Sequence, residues 1–431
     1  MSPKSPVLVI GAGFTGTALA VQLARRGVPV ALFDPATPGA GVAYGTQEPI
    51  HLLNVHARNM SALADEPEHF YRWTSTRDPA EFGPLCPAPG PDAFVPRLLY
   101  GRYMRDLLAG VEGVTHHPLR ATAVRRDGAG FVMEPAGIHG RAVALCLGNP
   151  PPRPMAEGPG VIHDPWAPGA LDPIGEDDAV LVLGTGLTTA DVILSLRERR
   201  GHRGAIHAVS RHGWAPLPQV EPRPPARPAG PFRVERGLAQ AMRSLRAHCA
   251  EEPWQAGFDG LRPQTTPAWR AMDAAARRRF LRHGRTAWNI HRHRLAPVVA
   301  ARLAAEQEAG GLTLHAARLA SFAPGDARLQ RRGGAEASVA AQWLINCTGP
   351  DNAGGLLAQP LVRGLVETGL LSPDPYGLGM LTDPETLEAS PGLYLLGPAT
   401  RATFWEATAV PELRVQAEKV ATHLAGRVVP A

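Results

Sequence analysis

Gly11, Gly13 and Gly16 follow directly on the apolar run Val7 to Ile10, and Asp34 closes the next apolar run, "PVALFD", 23 positions after Gly11. Glycines at this spacing let a backbone turn approach a pyrophosphate whose charge rests on the amino end of the following helix. An acid at the end of the next strand takes a ribose hydroxyl pair. The chemistry implied is dinucleotide binding. Thr15 within the turn, Tyr44 in "GVAYGT" and Leu53 in "HLLNV" are candidates to line the same nucleotide.

A second copy begins with the apolar run Val180 to Leu183 and continues as Gly184, Gly186, Leu187, Thr188 and Thr189, with Asp191 two positions on. Thr189 stands where a third glycine would, so helix and strand should lie slightly farther apart than in the first copy. The next apolar run, Ala205 to Val209, ends in Ser210-Arg211-His212. Arginine there forks onto a 2′-phosphate, which an acid would repel. The pair of motifs reads as FAD at the first site and NADPH at the second. The competing readings are a solvated Arg211 and a glycine turn in an unrelated α/β unit.

The elements that must hold these groups give an α/β fold with two dinucleotide-binding, Rossmann-like domains. The buried run in "AVALCLGNPPPRP" stops at Gly148 and a proline cluster, where the chain leaves the first domain. "WLINCTG", ending in Thr348 and Gly349, repeats that form near residue 343. The expectation is therefore a discontinuous FAD domain, 1–158 and 340–431, with an NADPH domain inserted at 159–339. Within the insert a helical insertion should occupy about 216–305, in which Pro216 to Pro231 reads as a loop or lid and a helical, arginine-rich segment runs from about Phe232 to Ala305. Near the end, the strand Leu393 to Leu396 meets Gly397 and Pro398, then a loop and a helix patterned by Leu413, Ala417, Val420 and Leu424. Such a segment closes over a flavin. Pro398 replaces the more usual Asp, so backbone amides near Ala407, Thr408 and Ala409 are expected to substitute for the missing carboxylate.

With 431 residues, 44% hydrophobic and 19% charged, the chain is long enough for two packed domains. The net charge of +5 raises nucleic acid as a partner. Its 44 basic residues include only two lysines, Lys4 and Lys419, the arginines are scattered among acids, and no basic run alternates with aromatics. No nucleic-acid partner is expected. The four cysteines form no C-x-x-C, and Cys146 and Cys347 sit in apolar runs, which argues against disulfide-reductase chemistry. The first apolar run starts close to Met1 and no run reaches membrane-spanning length, so a cytoplasmic protein with no membrane contact is expected. The pattern leaves the oligomeric state open.

The stretches "VIGAGFTGTALAVQL", "GVAYGT", "FVPRLLYGRYM", "LGTGLTTAD", "VSRHG", "NIHRHRLAP" and "FWEATAVPELR" together resemble bacterial FAD/NAD(P)-binding proteins that include a urate hydroxylase and aspartate N-monooxygenases. More distantly the chain is similar to flavin-containing and N-hydroxylating monooxygenases. The resemblance implies an NADPH-reduced flavin that activates O2 and passes one oxygen atom to a small polar, nitrogen-containing substrate. It also implies that Asn54, in "HLLNVHARNMSALADEP", sits beside the flavin ring, the competing reading being a buried turn asparagine. His163 and Trp166 stand where those enzymes carry a hinge signature, here with shortened spacing.

Candidate substrate contacts are Arg97, Arg102 and Tyr103, then His291, Arg292, His293 and Arg294, with Trp405 and Glu406 shaping the pocket. Guanidinium forks suit a carboxylate or an anionic purine. The His/Arg alternation lacks a nearby Cys, Asp or Glu, so no metal is expected there. Two other functional classes stay open: a flavin oxidase or dehydrogenase with a vestigial second glycine motif, and a non-catalytic flavin-fold binding protein.

Overall fold

The structure is a computed structural model that describes residues 5–426; Lys4 lies outside them. The strands in chain order are β1 (Val7–Ile10), β2 (Val30–Phe33), β3 (Val114–His117), β4 (Ala123–Asp127), β5 (Gly130–Glu134), β6 (Ile138–Gly140), β7 (Ala142–Leu145) and β8 (Val161–Ile162). They continue as β9 (Val180–Leu183), β10 (Ile206–Ser210), β11 (Leu312–Ala323), β12 (Asp326–Arg331), β13 (Glu336–Val339), β14 (Trp343–Asn346), β15 (Glu388–Ser390) and β16 (Leu393–Leu395).

The first sheet runs β15-β16-β7-β1-β2-β3, parallel throughout except for β15. Its central strands are wholly buried, which accounts for their unbroken apolar composition: a parallel sheet is covered on both faces. The helix Phe14–Ala24 and the last helix, Val410–Gly426, pack together on one face, burying Leu19, Leu23, Ala417 and Val420. On the other face Leu361, Val362 and Leu365 pack with Leu8, Val143 and Leu393. An antiparallel unit, β4-β5-β6, precedes β7.

The second sheet runs β13-β12-β11-β10-β9-β14-β8, with β8, β14, β9, β10 and β11 parallel. The fold class is therefore the one expected, two dinucleotide folds with the second inserted into the first.

The expected return to the first domain near residue 340 is corrected. β14 pairs with β9 of the second sheet, Leu344 facing Leu181. A methyl at Gly11 would lie 2.2 Å from the Cys146 carbonyl oxygen, and one at Gly184 would lie 2.3 Å from that of Cys347. Each glycine turn needs a neighbouring strand whose last carbonyl passes against it. "WLINCTG" repeats "ALCLGNP" because it does that for the second turn, which places Thr348 and Gly349 beside Gly184. The chain crosses back after β14, where Asp351 donates its amide to Pro151 O at 3.1 Å, side by side with the outgoing crossing.

The arginine-rich segment is helical as expected, with Leu238–His248, Trp254–Gly260, Thr265–Ala271, Ala274–Arg279 and Arg285–Arg292. These share a core of Leu245, Phe258, Trp269, Phe280 and Trp288 with Leu378 and Trp405 of the first domain. The proline-rich connection has no strand of its own but bridges Pro218 to Leu295, with Gln219 donating its amide to Leu295 O at 2.8 Å. Among the described residues no helix is long and apolar enough to cross a membrane.

Candidate functional site

At the first glycine turn the close packing is extreme. A methyl at Gly16 would stand 1.8 Å from Gly11 O, and one at Gly41 would stand 3.0 Å from the Cα of Gly13. Only glycine lets this helix start so near its strand. Asp34 is held toward the turn, its Oδ2 accepting from Ala12 N at 2.8 Å and its Oδ1 from Ala36 N at 2.9 Å. Tyr44 packs against Tyr100 at 4.5 Å between ring centres and edge-on to Phe14. Gly397, at φ 86°, lies over Thr15. These glycines leave a cradle that side chains would fill, which fits a pyrophosphate.

The second turn differs where its sequence differs. Thr189 sits where Gly16 does, and its hydroxyl donates to Gly184 O at 2.9 Å. Gly186 faces open space, leaving room for a phosphate. Ser210 accepts at Oγ from Thr185 Oγ1 and Gly213 N, fixing the loop that carries Arg211, which is exposed and makes no ion pair among the described residues.

A cavity of about 180 Å³ lies where the two domains and the insertion meet. Tyr44, Leu53 and Asn54 reach it from the first domain, Leu187 and Asp191 from the second glycine helix, Arg292 and His293 from the insertion, and Thr408 to Val410 from the C-terminal segment. Asn54 accepts from Gln219 Nε2 at its backbone oxygen, at 3.3 Å, leaving its side-chain amide without a protein partner. Gln219 belongs to the proline-rich connection, so that segment forms one edge of the site. The Ala407 and Thr408 amides donate to Phe404 O and Glu406 O, which corrects their expected part as free donors. The amino end of the helix from Val410 faces the cavity beside them.

Arg97 lines the cavity but is not a free substrate contact. Its guanidinium donates to Asp191 Oδ2 at 2.6 Å and lies 4.9 Å over the Trp166 ring. Burial dominates at Asp191 and lifts its carboxyl to about 6, against the pull of Arg97. Trp166 thus packs at the crossing between domains, whereas His163 is exposed. A second link joins the same elements: His51 bonds Thr46 Oγ1 through Nδ1 and Ser195 Oγ through Nε2, both at 2.8 Å.

The remaining substrate candidates separate clearly. Tyr103 is wholly buried, bonded through its hydroxyl to Ala62 N and His69, so its assignment is corrected to a core residue. Arg102 is exposed and paired with Glu81. Trp405 is corrected likewise, 4.9 Å from Trp269 in the insertion core and away from the cavity. Both errors come from aromatic side chains near a motif being filled into cores that the sequence alone does not reveal. His291 bonds Ala287 O and stacks with Phe258, and Arg294 is buried against Asp259. Arg292 donates through Nε to Glu406 Oε2 at 2.8 Å, while Trp288 donates to the other carboxylate oxygen at 3.2 Å. His293 makes no side-chain hydrogen bond, and burial followed by Arg292 and Arg401 brings it down to about 3, a neutral imidazole.

Burial lowers His51 to about 3 and His56 to about 4, against about 6.5 in an unfolded chain. Both groups then contribute stability that is complete above about pH 6.5 and is lost as pH falls toward their folded values. Each adds a slope of roughly 1.4 kcal/mol per pH unit below pH 6. Urea midpoints at pH 7 and pH 5 should differ accordingly, and His51→Gln should remove only part of the difference, since His56 and His293 act in the same direction. An unchanged midpoint would show these imidazoles to be solvated.

Residues 8–150 match a family model described as FAD-NAD(P)-binding. Among curated proteins, a 61-residue stretch is 46% identical to the tRNA 5-methylaminomethyl-2-thiouridine biosynthesis bifunctional protein MnmC of Marinobacter nauticus, covering 14% of this chain and 10% of that protein. The MnmC of Chromohalobacter salexigens is 28% identical over 206 residues, 45% of this chain and 28% of that protein. The chain thus spans well under a third of the curated relatives it matches.

Solved structures agree over nearly the whole length. The FAD-bound cadaverine monooxygenase DfoA of Erwinia amylovora superposes with a TM-score of 0.65 at 12% identity, covering 99% of this chain and 96% of that one. The ornithine N-hydroxylase of Kutzneria sp. 744 gives 0.62 at 16% identity, covering 99% and 100%. Thioredoxin reductase of T. acidophilum gives 0.56 at 12% identity, covering 98% of each. At these identities the likeness is one of fold. It defines the class: a two-dinucleotide-domain protein whose first domain matches an FAD-NAD(P)-binding model.

Proposed function

We propose that this protein is an FAD-dependent, NADPH-using monooxygenase that hydroxylates a small polar, nitrogen-containing molecule, at an amine nitrogen or a heterocycle carbon. The observation that carries the reading is the single cavity onto which both glycine-turn domains and Asn54 converge. FAD is assigned to Gly11, Gly13, Thr15, Gly16, Asp34, Tyr44, Leu53, Gly148, Gly397 and Pro398, with Thr408 at the ring end. NADPH is assigned to Gly184, Gly186, Leu187, Thr188 and Arg211, with Thr348 and Gly349 on the adjoining strand end. Bound together, the two cofactors supply the electrons that let O2 give one atom to substrate and the other to water. The absence of a C-x-x-C, and not the second nucleotide, separates this reading from a dithiol disulfide reductase, whose fold the chain shares.

The chain's own share is orientation, charge and dryness. Leu52, Leu53, Met60, Leu295 and Val299 make the walls apolar, which keeps bulk water from the reacting atoms. The Asn54 amide, free of protein partners, offers a donor and an acceptor at the cavity. Glu406 holds Arg292 in one orientation, and His293 stays neutral. No lysine among the described residues reaches the cavity; Lys419 pairs with Glu385, at 3.2 Å. That removes support from amine-oxidase chemistry that relies on a flavin-facing lysine.

Anaerobic stopped-flow mixing of the flavin-loaded protein with NADPH tests the reading. Bleaching near 450 nm, roughly where a bound oxidised flavin absorbs, is expected, followed by reoxidation in O2 with substrate hydroxylated. A yellow protein indifferent to NADPH would instead be an oxidase or dehydrogenase, and a colourless one a binding protein. Asn54→Ala should raise the hydrogen peroxide released per NADPH, with flavin content unchanged. Unaltered coupling would make Asn54 structural.

A further inference from the structure

Leu187, Asp191, Ser195 and Arg199 follow one another at four-residue steps along the second glycine helix and form a stripe. Leu187 and Asp191 line the cavity, and the three residues after Leu187 each hold a residue of the first domain. Asp191 Oδ2 accepts from the Arg97 guanidinium at 2.6 Å, Ser195 Oγ shares a hydrogen bond with His51 Nε2 at 2.8 Å, and Arg199 Nε donates to Glu48 Oε2 at 2.6 Å. An α-helix advances about 40° beyond a full turn over each four-residue step, which would carry the last of the four roughly 120° off the stripe. The helix Leu187–Leu194 instead widens into a π turn over Ser195–Arg199, whose longer circuit turns Arg199 back toward the first domain.

The three partners are themselves one unit. Glu48 and His51 belong to the segment that continues as Leu52, Leu53 and Asn54 into the cavity wall. Arg97 donates its amide to His51 O at 2.8 Å and Leu53 donates to Val95 O at 2.9 Å, which ties this segment to the start of the helix Arg97–Ala109. Thr46 Oγ1 bonds His51 Nδ1 at 2.8 Å and accepts the Glu48 amide at 3.2 Å, so the imidazole is held from both sides. Trp166, on the crossing between domains, lies 4.9 Å from the Arg97 guanidinium and edge-on to His51 at 5.6 Å.

Resting on the monooxygenase reading above, we propose that this row of contacts is a clasp that sets the spacing of the two bound nucleotides, with His51 and Ser195 as its positioning residues. Two domains joined by chain crossings move relative to one another by default. Here the segment that brings Asn54 to the cavity is bonded to the stripe that begins at Leu187, so the flavin-side wall and the nucleotide-side wall share one register. A hydride that leaves the nicotinamide carbon with its electron pair and joins the flavin needs that register, because a misplacement of about 1 Å costs up to a hundredfold. Glu48, His51, Ser195 and Arg199 do not line the cavity, and they act on the transfer through its two walls.

Titration of the flavin-loaded protein with NADP+ and anaerobic stopped-flow mixing with NADPH test the clasp. In the wild type NADP+ should perturb the flavin absorption, since the two rings meet in the cavity. Ser195→Ala should diminish that perturbation and slow bleaching by about ten- to a hundredfold, with flavin content and the calorimetric NADP+ affinity retained. Deuterium at the transferred position of NADPH should still slow bleaching in Ser195→Ala, which places the loss in the hydride step. The outermost pair, with 34% of the Glu48 and 53% of the Arg199 side chain exposed, tests the same clasp without disturbing a core. Glu48→Arg and Arg199→Glu should each slow bleaching by up to about fivefold, and the two together should restore it at an unchanged melting temperature.

Unaltered flavin perturbation and bleaching in Ser195→Ala overturn the proposal. Loss of the isotope effect overturns it too, because the delay would then lie in a domain movement before transfer. A wild type that binds NADP+ with a flavin perturbation and yet is not bleached by NADPH fails the monooxygenase reading alone, and one that binds no NADP+ fails both.

Discussion

Gly16→Ala should leave a protein that holds no flavin and is destabilised by about 3 kcal/mol or more, the larger end of overpacking effects. The added methyl would stand 1.8 Å from Gly11 O, a backbone atom that cannot swing aside as a side-chain tip would. Relief requires the helix Phe14–Ala24 to move off β1, yet that helix is packed from Phe14 to Leu23 against the sheet and the last helix. Gly184→Ala meets a similar obstruction, 2.3 Å from Cys347 O at φ 108°, but within the other sheet. It should keep the yellow colour and lose bleaching by NADPH. The pair of variants thus separates the two nucleotides, with absorbance of the purified protein and stopped-flow reduction as the readouts. A Gly184→Ala protein still reduced by NADPH at the wild-type rate would show the second turn to be unused.

Arg97→Ala should destabilise the protein by roughly 3 kcal/mol, the usual scale for removing one partner of a buried ion pair. Arg97 and Asp191 keep only 16% and 14% of their side-chain surface exposed, so neither recovers full hydration when its partner is lost. Asp191, already lifted to about 6, would be driven higher and be largely protonated at pH 7, which moderates the loss. The Trp166 ring also loses the cation above it. Replacing both members by apolar residues, Arg97→Met with Asp191→Leu, should recover most of the stability, because no charge is then stranded. Urea unfolding of the wild type, Arg97→Met, Asp191→Leu and the double variant measures this directly. A double replacement costing the sum of the two single ones would mean that the pair is not coupled and that His51 to Ser195 carries the link between domains.

A partial reading of the site was available without coordinates. The glycine turns were legible because their demand is local: a backbone at positive φ, a phosphate-sized gap and an acid or arginine one strand later. The cavity contacts Tyr44, Leu53, Asn54, Leu187, Arg292 and Thr408 were also named from sequence, since each sits in or beside such a turn or at a segment end. Tyr103 and Trp405 were misplaced because an aromatic beside a functional motif looks the same whether it faces a ligand or a core. Thr189 shows the opposite case, where a single departure from a known pattern is answered locally, its hydroxyl donating to Gly184 O at 2.9 Å.

Composition and spacing alone determined that two dinucleotide folds are present, in which order, and with a helical insertion between them, since strand apolarity and turn glycines depend on neighbours a few residues away. Tertiary structure decided which sheet takes β14, because "ALCLGNP" and "WLINCTG" meet the same requirement in different domains. It also decided which arginines are spent and which are free. Arg97 meets Asp191 across 94 positions and Arg292 meets Glu406 across 114, while among the described residues Arg285 forms no salt bridge. Pairing over such separations depends on how the chain returns on itself in space, and no local pattern of side chains carries that information.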